Sequence, residues 1–261
     1  MNLLNLFECT FTIPVKFDHT DRHDNLDGVL RWIRENFKTS IIVMESGNAE
    51  DPGIMYFKEV SAKHGAKYVF THEAGQFHRT AHLNAMARMA VTPIVMNYDA
   101  DIVIDPPDAL LAGQDAILNG RADFVWPFDS KNHCVVRGHM LDSFLKTSDV
   151  AHLKAAPKRL AGIAPGGVIM CNRQKFFEAG GENQHMISWG PEDQERRVRW
   201  YELGYNLLRL PGTMYHLEHY RGPASSRMHE HYAGNVAEFE RIKTMSAEQL
   251  REYVGTWGWA K

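Results

Sequence analysis

Residues 93–105 read PIVMNYDADIVID. The first half, PIVMNYD at 93–99, is continuously apolar until its last positions, the pattern of a strand buried on both faces. Such strands belong to parallel sheets, which bind ligands where loops leave the carboxyl ends of the strands. Asp99 and Asp101 stand at that end, two positions apart. Buried carboxylates are costly unless paired or metal-bound, so the pair predicts a site.

Working outward, the preceding segments alternate between two periods. ECTFTIPV (8–15), SIIVME (40–45) and AKYVF (66–70) read as strands rich in β-branched residues. NLDGVLRWIREN (25–36), a segment near 55–63 and HRTAHLNAMARMA (78–90) read as helices with one apolar face. Four strands alternating with helices in the first hundred or so residues predict an α/β fold with a mostly parallel central sheet flanked by helices. The second half is more mixed. ADFVWPF (122–128), HCVVRG (133–138), PGGVIMCN (165–172) and YNLLRL (205–210) read as strands, and helices are predicted at about 140–147, 173–179 and 192–203. Ser246 and Gln249 occupy capping-box positions ahead of a last helix in MSAEQLREYV. No repeat or linker divides the 261 residues, so one domain is expected.

Composition narrows the function classes. Apolar residues make up 44% and charged residues 23%, near the averages for globular proteins, which excludes disordered and fibrous classes. A net charge of -3 supplies no basic footprint for nucleic acid. Cys9, Cys134 and Cys171 are few and scattered, without a CxxC spacing, and predict reduced thiols rather than a sulfur metal site. The opening MNLLNLFECTFTIPV lacks a basic leader and a cleavage site, and no stretch approaches the ~18 apolar residues of a membrane span. The expectation is a cytoplasmic protein, at most peripheral at the inner membrane.

Three constellations carry chemistry. Asp-x-Asp at a strand end suits a hard divalent cation that leaves positions open for phosphate oxygens, although acids two apart also occur at solvated strand ends. HLEH at 216–219 offers two imidazoles, donors that suit Mn, Fe, Co or Zn better than Mg or Ca, in a chain whose 14 histidines also permit a chance spacing. WGPED at 189–193 puts Glu192 and Asp193 at a helix start, where the dipole favours anions. These acids serve either as helix-entry electrostatics or as a general base beneath an aromatic wall.

FHRTAHLN (77–84), DAD (99–101), GGV (166–168), WGPED (189–193) and HLEH (216–219), in that order, resemble the landmarks of a GT-A fold inverting glycosyltransferase. The pattern is most similar to the β-1,4-galactosyltransferase family and its bacterial relatives, over roughly residues 10–221. The resemblance implies the nucleotide-diphospho-sugar transferase fold as a single domain over 1–261. Residues 1–105 would form the nucleotide-binding half, 106–220 the mixed acceptor and catalytic half, and 221–261 a lid loop and C-terminal helices.

It also implies the reaction: transfer of a hexose or N-acetylhexosamine from a UDP-sugar to a hydroxyl on a glycan, lipid-linked or protein acceptor. Mn2+ or Mg2+ would be held by Asp101, His216 and His219, with His216 replacing a methionine of vertebrate members. Pro14, Arg22, Phe77, Arg79, Asp99 and Gly167 would border the nucleotide. Asp193 matches the catalytic base, Glu192 its acceptor-side neighbour, and Trp189 the tryptophan that moves with a lid, here RGPASSRMHEHYAG at 221–234. Ala164 stands where galactosyltransferases have a tyrosine crowding the donor's 2-position, which leaves room for an N-acetyl group. The resemblance is thus expected to be to a bacterial or viral-type cytoplasmic enzyme, without the membrane anchor and stem of mammalian members.

Two other functions compete. A nucleotidyltransferase also places acids at strand ends, but would carry a Gly-rich phosphate loop after its first strand, where VKFDHTDRHDN has no glycine. A sugar-binding module without turnover would need neither base nor metal ligands. The duller readings are Trp126, Trp257 and Trp259 as packing residues, His229 and His231 as lid or surface residues, and Arg196 and Arg197 as a solvated helix face.

Overall fold

A computed structural model describes residues 2–47, 54–73, 75–159, 166–222 and 226–260. The chain begins with β1 (Leu4–Lys16), α1 (Thr20–Asn36), β2 (Phe37–Ser46), α2 (Lys58–Lys63) and β3 (Lys67–Thr71). Next come α3 (Arg79–Met89), β4 (Ile94–Tyr98), β5 (Ile102–Asp105), α4 (Asp108–Leu118), β6 (Phe124–Trp126), β7 (His133–Val136) and α5 (Gly138–Thr147). The remainder comprises β8 (Val168–Asn172), α6 (Arg173–Glu178), α7 (Glu192–Glu202), β9 (Leu207–Arg209), β10 (Thr213–Leu217), α8 (Tyr232–Lys243) and α9 (Ala247–Gly255).

The main sheet has seven strands in the order β3-β2-β1-β4-β8-β6-β9. The pairs β2–β3, β1–β2, β1–β4 and β6–β9 are parallel, and β8 runs against both its neighbours. All five residues of β4 are buried, as a strand covered on both faces requires. On α1, Leu26, Val29, Leu30 and Ile33 are fully buried, at the spacing expected of a helix face on a sheet. The three cysteines are free and buried, and Ser246 and Gln249 form the capping box of α9.

A second sheet, β5-β10-β7, decides where the site forms. The chain does not run straight through NYDADIVID. It leaves the main sheet at Tyr98, turns over 99–101, and enters the second sheet at Ile102. There β5 pairs antiparallel with β10, matching Ile102 to His216, and Leu217 N–H donates to the Asp101 carbonyl at 2.8 Å. A backbone ladder thus joins two motifs far apart in sequence.

Several expectations are corrected. The helix α4 was not anticipated after the two prolines, although Pro107 followed by Asp108 is a helix-start signal. His216 lies inside β10, a strand beyond YNLLRL that the sequence patterning does not predict. Helix α8 begins at Tyr232, within the segment assigned to the lid. Arg197 is exposed, but Arg196 is 1% exposed and belongs to a buried ionic network, not to a solvated face. His229 is also buried. Trp126 and Trp257 are buried and Trp259 packs against the small cluster of Ile242, Leu250, Val254 and Trp257, as packing residues should. Ala164, Pro165 and residues 223–225 lie outside the described residues.

Candidate active site

The carboxyl ends of β1 and β4 open on a cavity of about 310 Å3. Its wall includes Pro14 and Arg22 from the first strand and helix, Phe77 and Arg79 at the start of α3, and Asp99 and Asp101 after β4. Trp189, Glu192 and Asp193 face it from the start of α7, and His216 and His219 from β10 and the loop beyond. Gly167 does not line the cavity, but its carbonyl accepts the Asp99 N–H at 2.9 Å and so shapes the Asp99 turn. A larger cavity of about 390 Å3 lies against α9, lined by Phe177, Tyr205 and Trp257 among others; Glu178 and Arg251 are its only charged residues, so it lacks a comparable cluster.

Asp101, His216 and His219 present three ligand atoms within 4.8 Å of one another, the one such cluster of metal-ligating side chains found among the described residues. Asp101 Oδ2 lies 3.2 Å from His219 Nε2, and Oδ1 lies 3.6 Å from His216 Nε2. His219 Nδ1 is 2.6 Å from the Tyr220 carbonyl, which can only accept, so Nδ1 donates its proton there and Nε2 faces Asp101. An imidazole nitrogen and a carboxylate oxygen this close are donors that one divalent cation can share. Cis ligands at roughly 2.1 Å from an octahedral ion are about 3 Å apart, so the donor set fits a divalent metal. The Arg22 guanidinium takes part in this arrangement, with Nη1 3.2 Å from both Asp101 Oδ2 and His219 Nε2.

Charges in this group are strongly biased. Burial alone would raise the Asp101 pKa, but His216, His219 and Arg22 outweigh it and hold the carboxyl well below the usual range. Burial pushes the His216 pKa down against the pull of Asp101, which favours the neutral ring a metal requires. His133 packs edge-on to His216 at 5.9 Å between ring centroids, and burial and the neighbouring cations push its pKa down to about 4.

Across the cavity, Arg79 donates to Asp99 Oδ1 at 2.5 and 3.2 Å and lies 3.8 Å from Glu192 and 4.0 Å from Asp193. Burial works against that guanidinium, yet Asp99 and Glu192 hold it firmly charged. Burial raises the Glu192 pKa despite Arg79. Glu192 and Asp193 occupy the first turn of α7 behind Pro191, where backbone N–H groups attract anions. Trp189 is 37% exposed and stacks on Tyr232 at 5.6 Å, while its carbonyl is met by His229 Nε2 at 2.6 Å and Asn235 Nδ2 at 3.2 Å. Those contacts tie the tryptophan to α8, a link that a Gly-, Ser- and His-rich segment does not announce.

The Asp193 carboxylate lies directly over Gly166. A Cβ added at Gly166 would fall 1.7 Å from Asp193 Oδ2 and 2.3 Å from its Cγ. Gly166→Ala should therefore displace the carboxylate; with Asp193 as the base that the resemblance implies, kcat falls by about 100-fold, while the thermal shift produced by Mn2+ and UDP stays as in the parent. Unchanged turnover would show that the carboxylate works from elsewhere.

Residues 150–221, which include WGPED and HLEH, match the family model described as the N-terminal domain of galactosyltransferase. No curated protein sequence matches the chain. Among solved structures, the chain resembles a mannosyltransferase from Pyrobaculum calidifontis in complex with GDP-Man and Mn2+. The TM-score is 0.54 at 16% identity, over 97% of this chain and 69% of that one. It also resembles GalNAc-T7 with UDP, GalNAc and Mn2+, with a TM-score of 0.60 at 15% identity, over 97% of this chain and 50% of that one. This chain thus spans half the length of the GalNAc-T7 chain.

The fold is thus the GT-A arrangement, a mostly parallel sheet flanked by helices with a smaller mixed sheet beside it. The narrower likeness, to galactosyltransferases, rests on residues 150–221.

Proposed function

We propose that this protein is a metal-dependent inverting glycosyltransferase that moves a hexose or N-acetylhexosamine from a UDP-sugar to an acceptor hydroxyl by single displacement. The observation that carries this reading is the convergence of the Asp101, His216 and His219 donor set with Asp193 on one cavity. Mn2+ and nucleotides in the two similar solved complexes support it.

In this reading Asp101, His216 and His219 hold Mn2+, which imidazole donors favour over Mg2+. Such an ion supplies positive charge to the departing diphosphate. Arg22 and Arg79 bring further positive charge to the phosphates. Pro14, Phe77, Asp99 and Gly167 border the nucleotide, and Trp189 moves with the segment after His219. Asp193 accepts the proton of the acceptor hydroxyl, with Glu192 beside it. The hydroxyl oxygen bonds to the anomeric carbon from the face opposite the phosphate. The old C–O bond breaks with its electron pair going to the nucleoside diphosphate, so the configuration inverts.

Residues 1–105 serve the nucleotide, 106–220 the acceptor and catalysis, and 221–261 the lid and closing helices. The acceptor hydroxyl belongs to a glycan, lipid-linked or protein substrate. Three buried free cysteines support a reducing compartment, the cytoplasm, and no described helix is long and apolar enough to cross a membrane.

Incubation with UDP- and GDP-sugars, Mn2+ and an acceptor panel tests the reading. The expected result is UDP release with an inverted product anomer by NMR. Release of GDP alone would overturn the donor assignment, and a retained anomer would remove Asp193 from its role as base.

A further inference from the structure

Arg196, one helical turn after Asp193, is nearly inaccessible, yet it is in direct ion-pair contact with the 25% exposed Asp193 carboxylate. Its Nη1 donates to Glu182 Oε1 at 2.5 Å, and Glu182 is fully buried. The same Oε1 accepts from Asn97 Nδ2 at 2.6 Å, and Asn97 Oδ1 accepts from Thr12 Oγ1 at 3.1 Å, which sets the orientation of the amide. Asn97 lies on β4, two residues before Asp99. A single buried chain of contacts therefore runs from the strand that presents the Asp-x-Asp pair, through Glu182 and Arg196, to Asp193.

We propose that Arg196 is a positioning residue for Asp193: anchored through Glu182 to Asn97, it holds the Asp193 carboxylate charged and aimed into the cavity over Gly166. This rests on Asp193 being the base.

The direction of the chain argues for aiming rather than for stability. Buried ion pairs are weak stabilisers because desolvation offsets their attraction. Arg196 Nε, Glu182 Oε2 and Asp193 Oδ1 have no hydrogen-bond partner among the described residues, so the network is not arranged to satisfy every polar atom. What it does achieve is to fix one partly exposed carboxylate against a rigid central strand. Arg79, from α3, also lies 4.0 Å from Asp193. The helix neighbour of Asp193, Glu192, and, farther along the cavity wall, Lys16, Asp18, Arg22, Asp99, Asp101, His216, His219 and Arg221 are the other titratable or charged groups of the same cavity.

The test compares the parent with Arg196→Lys, Arg196→Met and the double variant Arg196→Met/Glu182→Gln. The double variant removes both charges together, so that no buried carboxylate is left without a partner if the single methionine variant fails to fold. Three readouts are taken: kcat with the donor that the nucleotide-sugar panel selects, the carbon-13 titration of the Asp193 carboxyl (assigned with Asp193→Asn), and binding of UDP with Mn2+.

In the methionine and double variants kcat should fall by about 10- to 100-fold, the cost of a misplaced catalytic group. The Asp193 titration midpoint should move to higher pH, because a carboxylate deprived of its cation holds its proton more tightly. UDP–Mn2+ binding should change less than about twofold, and Arg196→Lys should recover part of both effects. A folded double variant with parental kcat and an unchanged Asp193 titration overturns the proposal. So does a loss of turnover that merely follows a loss of UDP–Mn2+ binding. If Asp193→Asn itself keeps full activity, the base assignment falls; if that variant is inactive while the Arg196 variants behave as the parent, only the positioning role falls.

Discussion

Replacing Asp101 with alanine is expected to abolish the UDP-induced rise in melting temperature that depends on Mn2+, and to lower turnover by about 1,000-fold or more. Asp101 is the only carboxylate in the cluster and the residue common to both short imidazole contacts. Without it, two imidazoles remain beside the Arg22 guanidinium, with no anionic donor to offset the charge of a divalent ion. A bound cation contributes several kcal/mol of transition-state stabilisation, and each ~1.4 kcal/mol is tenfold in rate, which gives the size of the loss. The thermal shift reads binding directly, since a ligand that binds only the native state raises its stability by mass action. An Asp101→Ala protein that still shows a Mn2+-dependent UDP shift would mean that the ion is held elsewhere.

Replacing Asp193 with asparagine should lower kcat by ~10²–10⁴-fold, the usual contribution of a general base. The amide preserves the volume over Gly166 and leaves Arg196 with Glu182. UDP and Mn2+ should therefore bind as in the parent, because Asp193 is not one of the clustered metal ligands. Glu192 provides the control. It lies 3.8 Å from Arg79, and its raised pKa reflects burial rather than exposure to an acceptor. Glu192→Gln should thus cost less than Asp193→Asn. The reverse order of effects would transfer the base role to Glu192.

The strand, helix and turn signals of the first hundred residues read through because they are local. Apolar periodicity in 25–36 and 93–99 depends on neighbours along the chain, and the structure places helix and strand there. The residues singled out for the site also reach one cavity, apart from Gly167, which acts through its backbone. Other features were not legible. Nothing in PPDALLAGQDAIL contradicts a helix, but a Pro-Pro pair signals a break first, and this masks the start of α4. Arg196 sits in a run of charges, ERRVR, that composition reads as a wet helix face. Only the packing of α7 against its neighbours shows that Glu182, fourteen positions earlier, lies opposite it.

By itself, then, the sequence determined which chemistry was available: carboxylates at the end of a buried strand, two imidazoles three apart, and an acidic pair at a helix start. Side-chain type and local period are properties of the chain, and folding does not alter them. The tertiary structure decided which of these groups meet. The pairing of β5 with β10 sets His216 opposite Ile102 and so beside Asp101, and the buried contacts from Asn97 to Arg196 fix where Asp193 stands. Both depend on long-range strand register and on the shared burial of oppositely charged groups. Those are terms in the free energy of the whole fold, which no local segment of the sequence contains.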